Sequence, residues 1–219
     1  IKRGSYGIVV KDSNSWYKGA TTDINANLTG SRSVGLYSQG ELTVNKANIT
    51  TNKGAINFYT EGNGKISVNG GTTVTGQESL LFYAKGTSRI SINGPMNATI
   101  KGGTTPSTRG TAFYYQGNGN TFDKAAIEQY FKDRFGDGAT STLSRLNLHM
   151  EAGSRLFVAS RVKMDLSNTA ASKLTTGLTG GPRISGSNYK TFMLYRSELT
   201  VDSKVNLDNA TDPYNELEI

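Results

Sequence analysis

The sequence predicts an all-β fold, a right-handed parallel β-helix with a short α-helical insert. Three observations predict it: short motifs repeat along the chain, apolar residues alternate within each motif, and Gly, Asn and Asp cluster between motifs as turns require. Because the motifs recur along nearly all of the chain, residues 1–219 are expected to form a single β-helical unit.

The first motif carries a tyrosine and reads apolar-x-apolar-Tyr-x-x-Gly. Its copies lie at residues 34–40, 56–62, 80–86 and 111–117, with a weaker copy at 6–11 and a copy without glycine at 192–197. Alternation with a period of two is typical of a half-buried strand, so the first and third positions are expected to point inward. The predicted interior column consists of Leu36, Phe58, Phe82 and Phe113.

A second strand motif follows, and a third, looser strand comes after it. The second motif occurs at 41–45, 65–69, 89–93, 155–159 and 198–202, and the third strand is marked by apolar pairs such as Ala47/Ile49 and Val162/Met164. Tyr37, Tyr59, Tyr83 and Tyr114 are 22, 24 and 31 residues apart, whereas a propeller blade needs about 40. We therefore expect three short strands per coil, with Asn45, Asn69 and Asn93 stacked at one corner.

Two segments break the repeat. The first, residues 118–138, is predicted to be a helical insert, because apolar residues recur at spacings of three and four between 121 and 135. Asn120 or Thr121 is the expected N-cap, and Gly136 the expected end. The second, residues 167–190, is rich in Ser, Thr and Gly and is predicted to be a loop insert.

The amino-acid composition excludes several kinds of functional site. Gly, Thr, Ser and Asn account for 26, 26, 21 and 19 of the 219 residues, which suits the corners and outer faces of stacked coils. The absence of Cys excludes disulfides, zinc–thiolate sites and a cysteine nucleophile, and it suits a chain exported unfolded. No apolar run approaches the roughly 20 residues of a membrane-spanning helix. Because the chain begins at Ile1 without a leader, we expect it to be part of a longer protein.

The net charge of +7 comes from singly scattered side chains. It predicts weak, salt-sensitive attraction to anionic surfaces, but no run of Lys and Arg marks a nucleic-acid partner. The Asp residues do not share a coil position, apart from Asp165 and Asp208, and His149 has no Ser or Asp pattern around it. We therefore expect no catalytic residues, no metal and no cofactor.

The repeated Gly-Ala-Ile-x-Phe-Tyr and Leu-Thr-Val-Asn coils, the Tyr-x-x-Gly turns and the lack of Cys resemble the passenger region of type V secreted autotransporters. They are most similar to the large fusobacterial outer-membrane adhesins of the RadD type. The resemblance implies a monomeric β-helical rod on the bacterial surface, extracellular and anchored by an outer-membrane barrel outside this chain. It implies attachment to a protein or glycan of other bacteria or host cells, without insertion of this segment into the membrane.

The candidate binding residues form three groups. If the interior column points inward, the tyrosines beside it point outward and form an aromatic surface for a sugar or a protein; the alternative is mutual stacking beneath the helical insert. The second group is a basic stripe for an anionic glycan, and the third is the tip of the insert. These groups are, in order, Tyr37, Tyr59, Tyr83 and Tyr114, with Tyr195 further along; Lys65, Lys85 and Arg89, with Arg109 and Arg155 nearby; and Tyr130, Lys132 and Arg134.

Three functions remain open on the sequence alone. The favoured one is an adhesin segment that acts as a rigid contact surface. The alternatives are a polysaccharide-active β-helix enzyme, such as a lyase or hydrolase, and a structural stalk with adhesion elsewhere in the parent protein. An enzyme requires converging carboxylates, and a stalk requires that other segments bury the tyrosines.

Overall fold

The computed structural model describes residues 4–103, 110–166, 182–201 and 217–218. Within these ranges the chain is mostly β-strand with one α-helix, which confirms the all-β expectation at this level. The strands are β1 (Tyr6–Val10), β2 (Trp16–Leu28), β3 (Val34–Ser38), β4 (Glu41–Thr51), β5 (Ile56–Thr60), β6 (Lys65–Val68), β7 (Thr72–Gln77), β8 (Leu80–Ala84), β9 (Arg89–Ile92), β10 (Met96–Lys101), β11 (Thr111–Gln116), β12 (Leu146–Met150), β13 (Arg155–Ser160), β14 (Lys163–Leu166), β15 (Arg183–Gly186), β16 (Lys190–Tyr195), β17 (Glu198–Val201) and β18 (Leu217–Glu218). The helix, α1, spans Lys124–Phe135, and 3-10 turns follow at Gly138–Thr140 and Leu143–Arg145.

All strand pairs described are parallel. The first sheet has the order β1-β3-β5-β8-β11-β13-β16-β18, and the second has the order β15-β12-β10-β7-β4-β6-β9, with β2 also on β4. A third sheet contains β14 and β17. The expected second and third strands are continuous in β4, whose first half pairs with β6 and whose second half pairs with β7.

The register of the first sheet places the predicted interior column in line. Leu36, Phe58, Phe82 and Phe113 are successive partners, and each is 0% exposed. The rings of Phe58 and Phe82 lie 5.4 Å apart, and those of Phe82 and Phe113 lie 5.5 Å apart. The column prediction is therefore confirmed, and it continues beyond Phe113 through Phe157 and Phe192.

The register corrects three alignments made from the sequence. One concerns residues 198–201, which the sequence places in the second motif but which pair, as β17, with β14, where a third strand is expected at Val162/Met164. Residues 155–159 were assigned to the second motif, but β13 pairs with β11, so Arg155 does not share a column with Lys65 and Arg89. Tyr195 was assigned to the tyrosine column, but its partner is Ser160, while Met193 and Val158 continue that column. The shifts at 155–159 and 192–197 have the same cause. The alternation of apolar residues in these segments is compatible with two registers, and the packing of the large Phe side chains selects one of them.

The alternation within the first motif is also less regular than predicted. In β5 and β8 the second and third residues are both buried, while the first is half-buried. Asn57 and Leu81, at the second position, are 0% exposed, and Ile56 and Leu80 lie at the first position. The first residue of these strands therefore does not line the core as expected. Two copies of the motif's final glycine, Gly62 and Gly86, have φ angles of +62° and +73°. Glycine adopts this left-handed conformation without the steric cost that other residues have.

The helix lies inside the predicted insert, but its N-cap differs. Asp123, and neither Asn120 nor Thr121, caps α1 by accepting from the backbone N–H of Ala126 at 2.8 Å. Asp is at least as good an N-cap as Thr, and the cap places the first turn three residues later. Gly136 ends the helix as predicted, with a φ of +87°.

Aromatic side chains of α1 are part of the core. The Phe131 ring lies 5.2 Å from the Phe113 ring and 5.4 Å from the Phe157 ring, so it fills the gap between these two members of the column. The Phe135 ring lies 5.4 Å from both Phe82 and Phe113. The helix therefore packs on the inner column, and the expectation that it covers the tyrosines is wrong.

The segment after α1 closes an edge of the second sheet. Thr142 is buried; its hydroxyl accepts from the Ile92 N–H at 2.9 Å and donates to the Ile90 carbonyl at 3.0 Å. Since Arg89 and Asn93 donate to the neighbouring segment on the β6 side, Ile90 and Ile92 present their backbone groups on the opposite, open edge of β9. One side chain thus satisfies polar groups that a further strand would otherwise pair.

The predicted loop insert, residues 167–190, ends earlier than expected. Residues 183–186 form β15, which pairs with β12, so the insert does not extend to residue 190. Residues 167–181 lie outside the described residues, as do Arg109, Asp208 and Asp202, the last residue of the 198–202 motif copy.

We expect Phe113→Ala to lower the free energy of unfolding by about 3 to 5 kcal/mol, because the change removes a ring that contacts Phe82, Phe131 and Phe135 and leaves a cavity. Urea unfolding followed by circular dichroism measures the loss. Tyr195→Ala is the control, since that ring is 44% exposed. Equal losses for the two variants would contradict the central position of the phenylalanine column.

We expect Thr142→Val to cost about 1 to 3 kcal/mol, because it leaves the Ile92 N–H and the Ile90 carbonyl without their shared hydroxyl partner. Hydrogen exchange gives the local readout: the Ile92 amide should lose protection, while the amides of β5 should keep theirs. Thr73→Val, at an exposed position of β7, is the matched control. An unchanged exchange rate at Ile92 would show that Thr142 does not close this edge.

Candidate functional site

The tyrosine ladder, defined as Tyr37, Tyr59, Tyr83 and Tyr114, runs across four neighbouring strands of the first sheet. Each tyrosine is the register partner of the next. Successive ring centroids are 5.1, 4.9 and 5.1 Å apart, and the central pair, Tyr59 and Tyr83, is stacked with an interplanar angle of 9°. Parallel pairing thus converts a tyrosine repeated in the sequence into a continuous aromatic surface.

The exposure of the rings differs along the ladder. Tyr37 is 7% exposed, whereas Tyr59, Tyr83 and Tyr114 are half-buried. Beside them, Ile56 and Leu80 form an aliphatic edge. A hollow of about 220 Å³ is lined by Ile56, Leu80, Tyr114 and Thr111, together with Gly54, Ala55, Glu78 and Ser79. The described residues therefore leave three rings and a small hollow accessible on this face.

Glu61 connects the hydroxyl groups of the ladder. Its carboxylate accepts hydrogen bonds from the Tyr37 hydroxyl, from the Tyr59 hydroxyl at 2.8 Å and from the Gln39 amide at 2.9 Å. The Lys85 ammonium lies 3.9 Å away. Burial alone would raise the pKa of Glu61, but these hydrogen bonds and the lysine charge hold the pKa below its usual range. The carboxylate is therefore ionised at neutral pH and fixes the orientation of two rings.

The phenol groups of Tyr37, Tyr59 and Tyr83 remain protonated over the physiological range. Burial, and then the charges of Tyr114 and Glu61, raise the pKa of Tyr83 to about 12. Burial together with the hydrogen bond to Glu61 raises the pKa of Tyr37 and of Tyr59 well above the usual value. Tyr83 donates to the Gln116 amide oxygen at 2.8 Å. These three tyrosines thus present neutral rings with oriented hydroxyl groups.

Sequence reasoning missed Glu61, although the repeat contained the signal. Gln39, Glu61, Lys85 and Gln116 each stand two residues after a ladder tyrosine. Residues two apart in a strand share a face, so this second column lies beside the hydroxyl groups. The residue type at this position differs between the copies, so the column cannot be recognised as a repeated motif in the sequence.

The predicted basic stripe is divided among different partners. Lys65 lies 3.4 Å from the Glu41 carboxylate, and Lys85 belongs to the Glu61 cluster. A guanidinium nitrogen of Arg89 lies 3.1 Å from the position that a β-carbon on Gly136 would occupy, at the carboxyl end of α1. Arg155 is 5% exposed. The structure places these cations beside carboxylates or the helix, and it does not bring them into one open patch.

The three insert residues have different surroundings. Tyr130 is 5% exposed, and its hydroxyl donates to the Tyr114 carbonyl at 3.3 Å; burial raises its pKa. Lys132 is paired with Asp137 at 2.8 Å, an interaction that raises the lysine pKa and lowers that of the carboxyl. The guanidinium of Arg134 lies 5.8 Å from the centre of the Tyr130 ring. Of the three, Lys132 is the residue that faces solvent.

The polar residues considered for catalysis are separated. His149 is exposed, as its predicted outward position requires, and its Nδ1 lies 3.1 Å from the Ser185 hydroxyl. Within the described ranges, no three Asp, Glu or His side chains are placed to hold a metal ion.

The predicted asparagine stack forms only in part: Asn93 donates to Asn69 at 3.1 Å, whereas Asn45 donates to Asp23.

Comparison with protein-family models, with curated proteins and with solved structures gave no match. Of the helices in the described part of the chain, none has the length and apolarity needed to cross a bilayer.

We expect Glu61→Gln to lower the free energy of unfolding by about 1 to 2 kcal/mol at pH 7, the size of a hydrogen bond to a charged group at a partly exposed site. The folded pKa of Glu61 is lowered, so its stabilising effect is full above the ordinary carboxyl pKa of about 4.3 and disappears as the pH falls through the folded value. Urea unfolding of both proteins between pH 3 and pH 7 measures this, with Glu41→Gln as the exposed control. A difference that stays constant across this range would contradict the assignment.

Proposed function

We propose that this chain is an adhesin segment of a bacterial surface autotransporter, which attaches the cell to other bacteria or to host cells. The observation that carries the proposal is the tyrosine ladder, a row of four rings in contact on a parallel sheet, of which Tyr59, Tyr83 and Tyr114 are accessible and Tyr37 is buried. Tyrosine supplies a large apolar area and a polar tip, and it is enriched where proteins recognise partners.

The ladder is already ordered before a partner binds. Neighbouring rings are in contact, stacked in the central pair and edge-to-face in the other two, and the Tyr37, Tyr59 and Tyr83 hydroxyl groups have hydrogen-bond partners on the same face. Binding to ordered side chains avoids part of the entropy cost that flexible side chains lose on association. The aliphatic edge and the hollow beside Tyr114 add apolar area. These features suit a protein or glycan surface of moderate size, with avidity supplied by many copies on a cell.

We further propose that the strands wind as a right-handed parallel β-helix, which would make the segment a rigid rod. Two findings support this. Partners in the first sheet, such as Tyr37 and Tyr59, are separated by the strands of the second sheet, as successive coils require. Parallel strands joined by a crossover in one sheet are almost always right-handed. Display outside the cell agrees with the lack of cysteine in the sequence.

The test is binding of the purified, fluorescently labelled 219-residue chain to bacterial and epithelial cells, measured by flow cytometry. We expect saturable binding to at least one cell type and a loss of about tenfold or more in affinity for the double variant Tyr59→Ala/Tyr83→Ala. Tyr195→Ala is the matched control, because Tyr195 is an exposed tyrosine outside the ladder.

Circular dichroism and the unfolding midpoint establish that the double variant is folded. Tyr83→Phe adds a second check, since it keeps the ring and removes only the hydrogen bond to Gln116. We expect it to retain most of the binding. Absence of binding by the wild-type chain, or equal losses for the ladder and Tyr195 variants, would overturn the adhesin proposal and favour a structural stalk.

A further inference from the structure

A second regular surface lies on the outer side of the second sheet, away from the tyrosine ladder. Two columns of side chains cross the strands β2, β4, β7, β10, β12 and β15 in constant register. We call them the amide–hydroxyl face. Its first column is Asn25, Asn48, Thr73, Asn97, Asn147 and Arg183, and its second is Asn27, Thr50, Thr75, Thr99, His149 and Ser185.

This face is almost free of charge. Of its twelve positions only Arg183, at one end, carries a full charge, whereas 19% of the residues in the whole sequence are charged. The contrast exists within the same sheet, since the column formed by Glu41, Lys65 and Arg89 is charged throughout. In a chain with a net charge of +7, an uncharged face this large favours an uncharged ligand.

Hydrogen bonds between strands order the amide groups. Asn48 donates to the Asn25 side-chain oxygen at 2.9 Å, and Asn147 donates to the Asn97 side-chain oxygen at 3.0 Å. A side-chain amide has two N–H donors and an acceptor oxygen with two lone pairs, so one such bond leaves capacity for a ligand. The face therefore offers oriented donors and acceptors at fixed intervals.

The face is concave at one end. Six of its residues, on β2, β4 and β7, line an open trough of about 470 Å³, and Ala26 and Ile49 contribute to the same lining. The trough is thus lined on its open side by amide and hydroxyl groups, since the Ile49 side chain is 2% exposed and belongs to the core. A sugar ring has the matching chemistry, because its hydroxyl groups both donate and accept hydrogen bonds.

We propose that the amide–hydroxyl face binds an uncharged, hydroxyl-rich glycan chain, seated in the trough and extending along the columns. Adjacent strands lie about 4.8 Å apart, and same-face residues of one strand lie about 6.6 Å apart, so polar groups recur on the scale of a sugar unit. Ligand binding here is independent of the tyrosine ladder, which lies on a different sheet.

The test is affinity electrophoresis of the purified chain in gels that contain one polysaccharide each: a β-glucan, a mannan, a galactomannan, and the acidic polymers heparin and alginate. We expect retardation by at least one neutral polysaccharide, unchanged when salt is raised, because no ion pairs contribute to the contact. Thr50→Lys, which places a charge and a long side chain in the trough, should weaken this binding about tenfold or more.

Ser67→Lys is the matched control, since it makes the same kind of change on β6, in the part of the second sheet that carries the charged column. The double variant Tyr59→Ala/Tyr83→Ala should retain glycan binding, and Thr50→Lys should retain ladder-dependent cell binding unless the cell ligand is this glycan. The two proposals therefore fail separately.

Three outcomes would overturn the inference: no retardation by any neutral polysaccharide, equal weakening by Thr50→Lys and Ser67→Lys, or retardation by the acidic polymers alone that vanishes at high salt. The last result would assign the binding to the net positive charge of the chain.

Discussion

Parallel pairing in constant register is the constraint on which the rest of the structure depends. It places the same motif position of successive strands about 4.8 Å apart, so a residue type repeated in the sequence becomes a continuous column in space. Phe58, Phe82 and Phe113 form the inner column in this way, and the tyrosines one position later form the ladder on the outer face. Core, aromatic surface and polar surface are therefore three consequences of one pairing rule.

The same rule creates an electrostatic problem, because a charge repeated in one column would face its own copy. The chain limits this at several pairs by changing sign between neighbouring strands. Lys65 pairs with Glu41, and Lys163 pairs with Glu198, its register partner. Lys65 is also the register partner of Arg89, so this column does not alternate throughout, and the Arg89 guanidinium lies beside Gly136 at the carboxyl end of α1. In other columns amides take the place of charges, since an amide both donates and accepts and can pair with its own copy. These pairings explain why Lys65, Lys85 and Arg89 do not form one open patch.

Much of this organisation could be predicted from the sequence, because columns follow directly from repeats. The interior column, the outward tyrosines and the helix were predicted, since each depends on local spacing. The register of residues 155–159 and 192–197 was not, because alternation is satisfied equally well by two alignments, and only packing of Phe157 and Phe192 against their neighbours decides between them. Glu61 was missed for a related reason: its role depends on two tyrosines 24 and 2 residues away, and its neighbours in the column are of different types.

The position of the insert explains why the two large sheets remain continuous although the sequence repeat is interrupted there. The first sheet passes without interruption from β11 to β13, where Val158 follows Tyr114 in the ladder's column, and β10 pairs directly with β12, so the amide–hydroxyl face crosses the level of the insert. Only the run of strands β4, β6 and β9 in the second sheet is interrupted at the insert. There Phe131 and Phe135 supply the core contacts, and Thr142 supplies the hydrogen bonds that a further strand would have made. An insertion is tolerated at this point because its side chains replace both the packing and the pairing of the strand that is missing.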